Sequence, residues 1–190
     1  MRVLLIVGAL ALSACTVAPP PEIASFEDRQ VLVQLLEDGA PQTAGFGDSG
    51  WTAFEIGITP DNVAGNHRVS IAAIGNDVAS GPLMVMLTCD RSGEAVILQD
   101  GRWRAPSRGS EFVDFRFEGR APLTSVLMQI GGDVVSSRGA RVVQEFHDGL
   151  QTASMLHYQV RDGVQRSAPT SHAADTFDRY AAACRALRSR

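Results

Sequence analysis

The segment EFVDFRFE, residues 111–118, alternates cleanly from Val113 onward. Val113, Phe115 and Phe117 fall on one side, and Asp114, Arg116 and Glu118 on the other. Side chains of an extended chain point to opposite faces in turn, so this run is a strand with one wet face and one buried face, as in half-buried antiparallel sheet. The same period recurs in Phe54, Ile56 and Ile58 of WTAFEIGI, in Leu83, Val85, Leu87 and Cys89 of PLMVMLTC, and in Leu156, Tyr158 and Val160 of MLHYQVR. HRVSIAAIGN, EAVILQ and LTSVLMQI read as further strands, the last ended by Gly131 and Gly132. DRSG turns the Cys89 strand into EAVILQ, and Asp162-Gly163 turns MLHYQVR back into VQRSA. Asp100-Gly101 predicts a tight hairpin leading into RWRA, because such turns need residues that tolerate positive φ.

Three segments have another period. In ARVVQEFHDG, Ala140, Val143, Phe146 or His147, and Leu150 form a helical stripe with Gly149 near its end. In HAADTFDRYAAACRAL, Phe177, Ala181, Cys184 and Leu187 form another, with Ser171 as its N-cap. SFEDRQVLVQLLEDG is open: Ser25 and Asp28 have capping spacing, while QVLVQLL also fits a strand. The expected fold is therefore α+β and β-rich: an antiparallel, β-sandwich-like domain with a C-terminal helix held against a central strand.

The chain begins with Met1 and Arg2, then an uncharged run from Val3 to Leu12 that is too short to span a bilayer. Leu12, two small residues and Cys15 resemble the lipobox of bacterial lipoprotein signal peptides. The resemblance implies cleavage before Cys15 and a lipid on its thiol, and Thr16, in place of Asp, implies the outer membrane facing the periplasm. An ordinary signal peptide cut nearby is the alternative. The expected organisation is a signal peptide over residues 1–14, a lipidated tether over 15–25 stiffened by Pro19, Pro20 and Pro21, and one periplasmic domain over 26–190.

With Cys15 committed to lipid, Cys89 and Cys184 remain, in an oxidising compartment where an even pair reads as a disulfide. Each thiol points the way its apolar neighbours point, so a core that joins the two faces joins the sulfurs. Two separate buried thiols are the alternative.

All 17 cationic side chains are arginine, which excludes chemistry that needs a lysine ammonium, such as Schiff-base formation. A net charge of −4 without a basic run argues against nucleic acid as partner. The order of features is a strand ending in Cys89, then Arg116-Phe117-Glu118, a short helix, a strand pair around an Asp-Gly turn, and Phe177, Ala181 and Cys184 at the end. It is similar to small exported β-sandwich proteins, notably the type VI secretion accessory family and more loosely the invasion-associated locus B family. The likeness spans residues 50–187 and implies a fold. Those families tend to carry a glycine in the last helix, and Thr176 to Tyr180 has none.

Candidate chemistry is sparse. His147-Asp148 and Ser136-Ser137 are close in sequence, but adjacent helical residues diverge by about 100° and do not converge as a triad. No Gly-x-Ser-x-Gly elbow occurs. His172 and Asp175 share a helix face and, with Asp178 or Asp162, could hold a divalent ion; such a pair at a helix start is more often a solvated face that complements the dipole. His157 lies on the polar face of its strand, and His67 beside Asn66 in a loop. Glu27-Asp28 and Glu37-Asp38 read as solvated charge. No catalytic or metal site and no cofactor is assigned. The one candidate binding element is Arg102, Trp103 and Arg104 with Arg108, suited to stacking and to carboxylate or phosphate recognition; a hairpin with Arg outward and Trp inward gives the same string. The expectation is a lipid-anchored module that binds another envelope protein or the cell wall. The alternative is an envelope hydrolase, which convergence of His147, His157, His172 and Asp175 in one cleft would favour.

Overall fold

The computed structural model describes residues 24–38, 50–60, 66–77, 81–101, 109–131, 133–160 and 163–189. Cys15, the tether up to Ile23, and Arg102, Trp103, Arg104 and Arg108 lie outside the described residues. Among the described residues there are three helices: α1 (Phe26–Asp38), α2 (Ala140–Thr152) and α3 (Ala173–Arg188). The strands are β1 (Glu55–Pro60), β2 (His67–Asp77), β3 (Gly81–Asp90), β4 (Gly93–Asp100), β5 (Ser110–Phe117), β6 (Leu123–Gly131), β7 (Val134–Ser137), β8 (Met155–Val160) and β9 (Arg166–Pro169). They form one antiparallel sheet in the order β1-β2-β3-β4-β7-β6-β5-β8-β9, and a bridge between Trp51 and Gly75 of β2 lengthens the β1–β2 ladder on the N-terminal side of β1. The fold is α+β and strand-rich, as expected.

Register sorts each strand into two faces. Val69, Leu87 and Val96 line up with Ile71 and Cys89 on the inner face, and the alternation continues through Val113, Phe115, Phe117, Leu156 and Tyr158, all buried. The sheet rolls over on this face. Arg166 on β9 reaches Asp100 on β4, with Nε 2.8 Å and Nη2 3.1 Å from its carboxylate, although four strands separate the two in the sheet order. The closure is sandwich-like, and the helices occupy its open side. α3 packs against β1, β2 and β3, with α1 and α2 beside it.

α3 is fixed covalently as well. Cys89 and Cys184 form a disulfide with their Cα atoms 5.7 Å apart, joining β3 to α3. At the other end of the core the rings of Phe115 and Phe117 meet Phe146 of α2 edge-on at 5.6 and 5.3 Å, a favoured aromatic geometry.

Several local expectations change. α1 is a helix, not a strand, because Ser25 and Asp28 cap it reciprocally: each backbone N–H donates to the other's side chain, at 3.0 and 3.1 Å. Asp28 is not solvated charge, since it is buried and bound by Arg185 of α3. The buried stripe of α2 is Val142, Phe146, Gly149 and Leu150, one step round from the expected one, and Ala140 is exposed. α3 starts after His172, which is its N-cap in a left-handed conformation (φ 67°) without a side-chain capping bond, while the Ser171 hydroxyl donates to the Ser154 carbonyl instead. The second arm of the hairpin predicted at Asp100-Gly101 lies outside the described residues; among those described, β4 pairs with β3 on one edge and β7 on the other. His67 opens β2 and is not in a loop.

Candidate functional site

Two places gather polar side chains, one on each face of the sheet. On the inner face the two-residue turn between β3 and β4 sets Glu94 opposite Cys89, directly beside the disulfide. α3 carries Tyr180 one turn before Cys184, and α2 presents His147 from above. Glu94 Oε1 accepts the Tyr180 hydroxyl at 2.8 Å and lies 2.8 Å from His147 Nε2. The His147 ring rests edge-on against Phe177, 5.1 Å between centroids. Burial alone would push the Glu94 carboxyl up. The hydrogen bond and charge of His147, with the Tyr180 hydroxyl and Arg188, outweigh it and hold the group below its ordinary range. Burial, then the neighbouring Glu94 charge, pushes the Tyr180 phenol far above its ordinary value. The cluster joins three elements through one carboxylate. Close by, Arg138 binds Asp90 at 2.7 Å and holds its carboxyl well below the usual range.

Deeper in the roll, the Asp100–Arg166 pair is buried beside Tyr158, whose hydroxyl has no hydrogen-bond partner among the described residues. Burial, and then the Asp100 charge, pushes that phenol up.

The outer face differs in kind. Phe112 of β5 faces Val126 of β6 across the ladder, and Met128 and Ile130 continue along β6 to its bulge at Gln129/Gly131. These four are 64 %, 48 %, 60 % and 61 % exposed. On β4 the same face is closed, with Ala95 and Ile97 buried. Adjoining the apolar strip is a depression of about 180 Å³ between β5 and β8, lined by Asp114, Arg116, Pro122, His157, Gln159 and Gln165 among others. In it His157 Nδ1 is 2.8 Å from the Ser167 hydroxyl, and the ring stands opposite Arg116.

No family model, curated protein or solved structure matches the chain.

The four groups singled out in the sequence are dispersed. His147 is engaged inside with Glu94, His157 stands on the outer face with Ser167, and His172 and Asp175 are exposed at the start of α3. Asp148 does not orient His147; it binds Arg120 at 2.8 Å, as does Glu145 at 2.7 Å. Asp162 lies outside the described residues, and among those described no three His, Cys, Asp or Glu side chains converge as a metal site. Among the same residues, no helix is long and apolar enough to cross a membrane.

Neither Glu94 nor Tyr180 stands out in the sequence, yet both carry a signal. DRSG fixes the register that puts Glu94 opposite Cys89, and Tyr180 precedes Cys184 by four residues, one helical turn. The apolar strip carries a weaker signal: Phe112 falls on the face of its strand otherwise occupied by charge.

Proposed function

We propose that the protein is a lipid-anchored envelope module, held in the outer membrane through Cys15, which binds another envelope component with the outer face of its sheet. The observation that carries this reading is the exposed strip of Phe112, Val126, Met128 and Ile130. Contiguous exposed apolar side chains rimmed by polar ones mark interaction surfaces. The dispersal of His147, His157, His172 and Asp175 supports binding over catalysis, and a disulfide suits an exported domain. An envelope hydrolase has one observation in its favour, the Ser167–His157 contact. Its ring has no carboxylate to orient it among the described residues, unlike the serine–histidine–aspartate arrangement.

A photo-crosslinker placed at residue 112 should give a discrete adduct in intact cells, and one at Arg141, exposed on α2, should not. Equal adducts at both positions, or none at 112, overturn the binding face. The anchor is tested separately. Cys15→Ala should abolish incorporation of a fatty-acid analogue, and wild-type incorporation in that variant removes the lipoprotein reading.

A further inference from the structure

Asp114 and Arg116 stand on the same outer face of β5, two residues and so about 6.5 Å apart along the strand. Opposite charges at that spacing can reach each other, but these two do not pair. Asp114 accepts the hydroxyl of Thr124, and Arg116 makes no ion pair or hydrogen bond among the described residues. The facing strand sets Gln159 opposite Asp114 and His157 opposite Arg116. The depression between them holds about 180 Å³, below the usual range of roughly 300 to 1,000 Å³ for drug-sized ligands, so it suits a small headgroup.

We propose that this depression binds the zwitterionic head of an α-amino acid, with its carboxylate on Arg116 and His157 Nε2 and its ammonium on Asp114. A guanidinium fork matches a carboxylate in geometry as well as charge. The Ser167 hydroxyl holds Nδ1 and leaves Nε2 as the ring nitrogen facing the ligand, where it donates whenever the serine supplies the hydrogen of the Nδ1 contact. A purely anionic ligand is attracted by Arg116 and repelled by Asp114, and a purely cationic one meets the reverse. A zwitterion satisfies both walls at once. The same head occurs in a free amino acid and at the distal centre of a diamino acid displayed on a cell-wall peptide. The inference rests on the outer face being the binding face.

The test is a titration of the full chain in detergent, following the backbone amide signals of β5 and β8 by NMR, with L-alanine, N-acetyl-L-alanine and L-alaninamide as probes. Alanine should perturb Arg116, His157 and Gln159 at a concentration about tenfold or more below either single-charge analogue, as expected for losing a charge-assisted hydrogen bond. Arg116→Gln and Asp114→Asn, both at exposed positions, should each abolish that preference while leaving the rest of the spectrum unchanged. Analogues that bind as well as alanine, or an absence of localised shifts with all three, overturn the proposal. A muropeptide with a free diaminopimelate end forms a further arm. Binding tighter than alanine assigns the source to the cell wall, and equal binding assigns it to the free amino acid. Retention of the adduct at residue 112 when no amino acid binds confines the failure to this site.

Discussion

At the scale of single residues, close packing and charge pairing make the sharpest demands. Gly149 lies where α2 crosses Phe117: a Cβ built there would sit 2.2 Å from the ring. Alanine ordinarily helps a helix by about 1 kcal/mol over glycine, but here it must displace an aromatic side chain that is fully buried. Gly149→Ala is expected to lower stability by about 1 to 3 kcal/mol, in the range of overpacked cores, with Phe117→Leu in the same chain relieving part of the loss; chemical denaturation of the two variants measures both. Asp28 makes a different demand. Its hydrogen bond to Arg185, outweighing the cost of burial, lowers its carboxyl from 3.8 to about 2. The unfolded chain binds the extra proton between those values, so the stabilisation is complete above about pH 4 and is lost as the pH falls towards 2. Asp28→Asn should flatten the acid limb of the stability–pH curve over that window, and an unchanged limb would show that the pair does not act through this proton.

At the scale of elements, the sequence makes legible whatever depends on period two or on a local turn. The inward faces of β1, β3, β5 and β8 come from alternation alone, and DRSG sets a hairpin that holds. Contacts between distant parts of the chain are not visible in this way. The helical stripe of α2 slips by one position because Phe115 and Phe117, about thirty residues earlier, decide which face is covered. The edge of β4 away from β3 is taken by β7, which arrives from more than thirty residues downstream. Asp28 has the sequence context of solvent-facing charge because its partner is 157 residues away. On the inner face, the carboxylate shared by His147 and Tyr180 can be anticipated only by combining the hairpin register with the pairing of the cysteines. The outer depression needs the pairing of β5 with β8, which alternation cannot supply. The disulfide is legible because each cysteine lies on an apolar face of its own element. Replacing both by alanine should lower stability by roughly 2 to 5 kcal/mol, read from denaturant midpoints, and the wild-type chain should show no free thiol at these positions when denatured without reductant.

At the scale of the whole molecule, the strands and helices described depend on two long-range closures. One is the Asp100–Arg166 pair, whose desolvation makes it a poor source of net stability but a strong constraint on which strands may face each other. The other is the bond from β3 to α3, which spans 95 positions and encloses everything from β4 through most of α3 in a covalent ring. The ring has a mechanical consequence. A load applied between the two ends of the chain can draw out β1, β2 and most of β3, then meets the sulfur bridge and passes directly to the last turn of α3. The enclosed 95-residue span, about 330 Å of chain at full extension, is shielded from the pull. If the chain is moored by its N-terminal end to a membrane, as proposed, the strip on β5 and β6 and the depression beside it lie inside the ring and carry none of the tension that draws out the first strands.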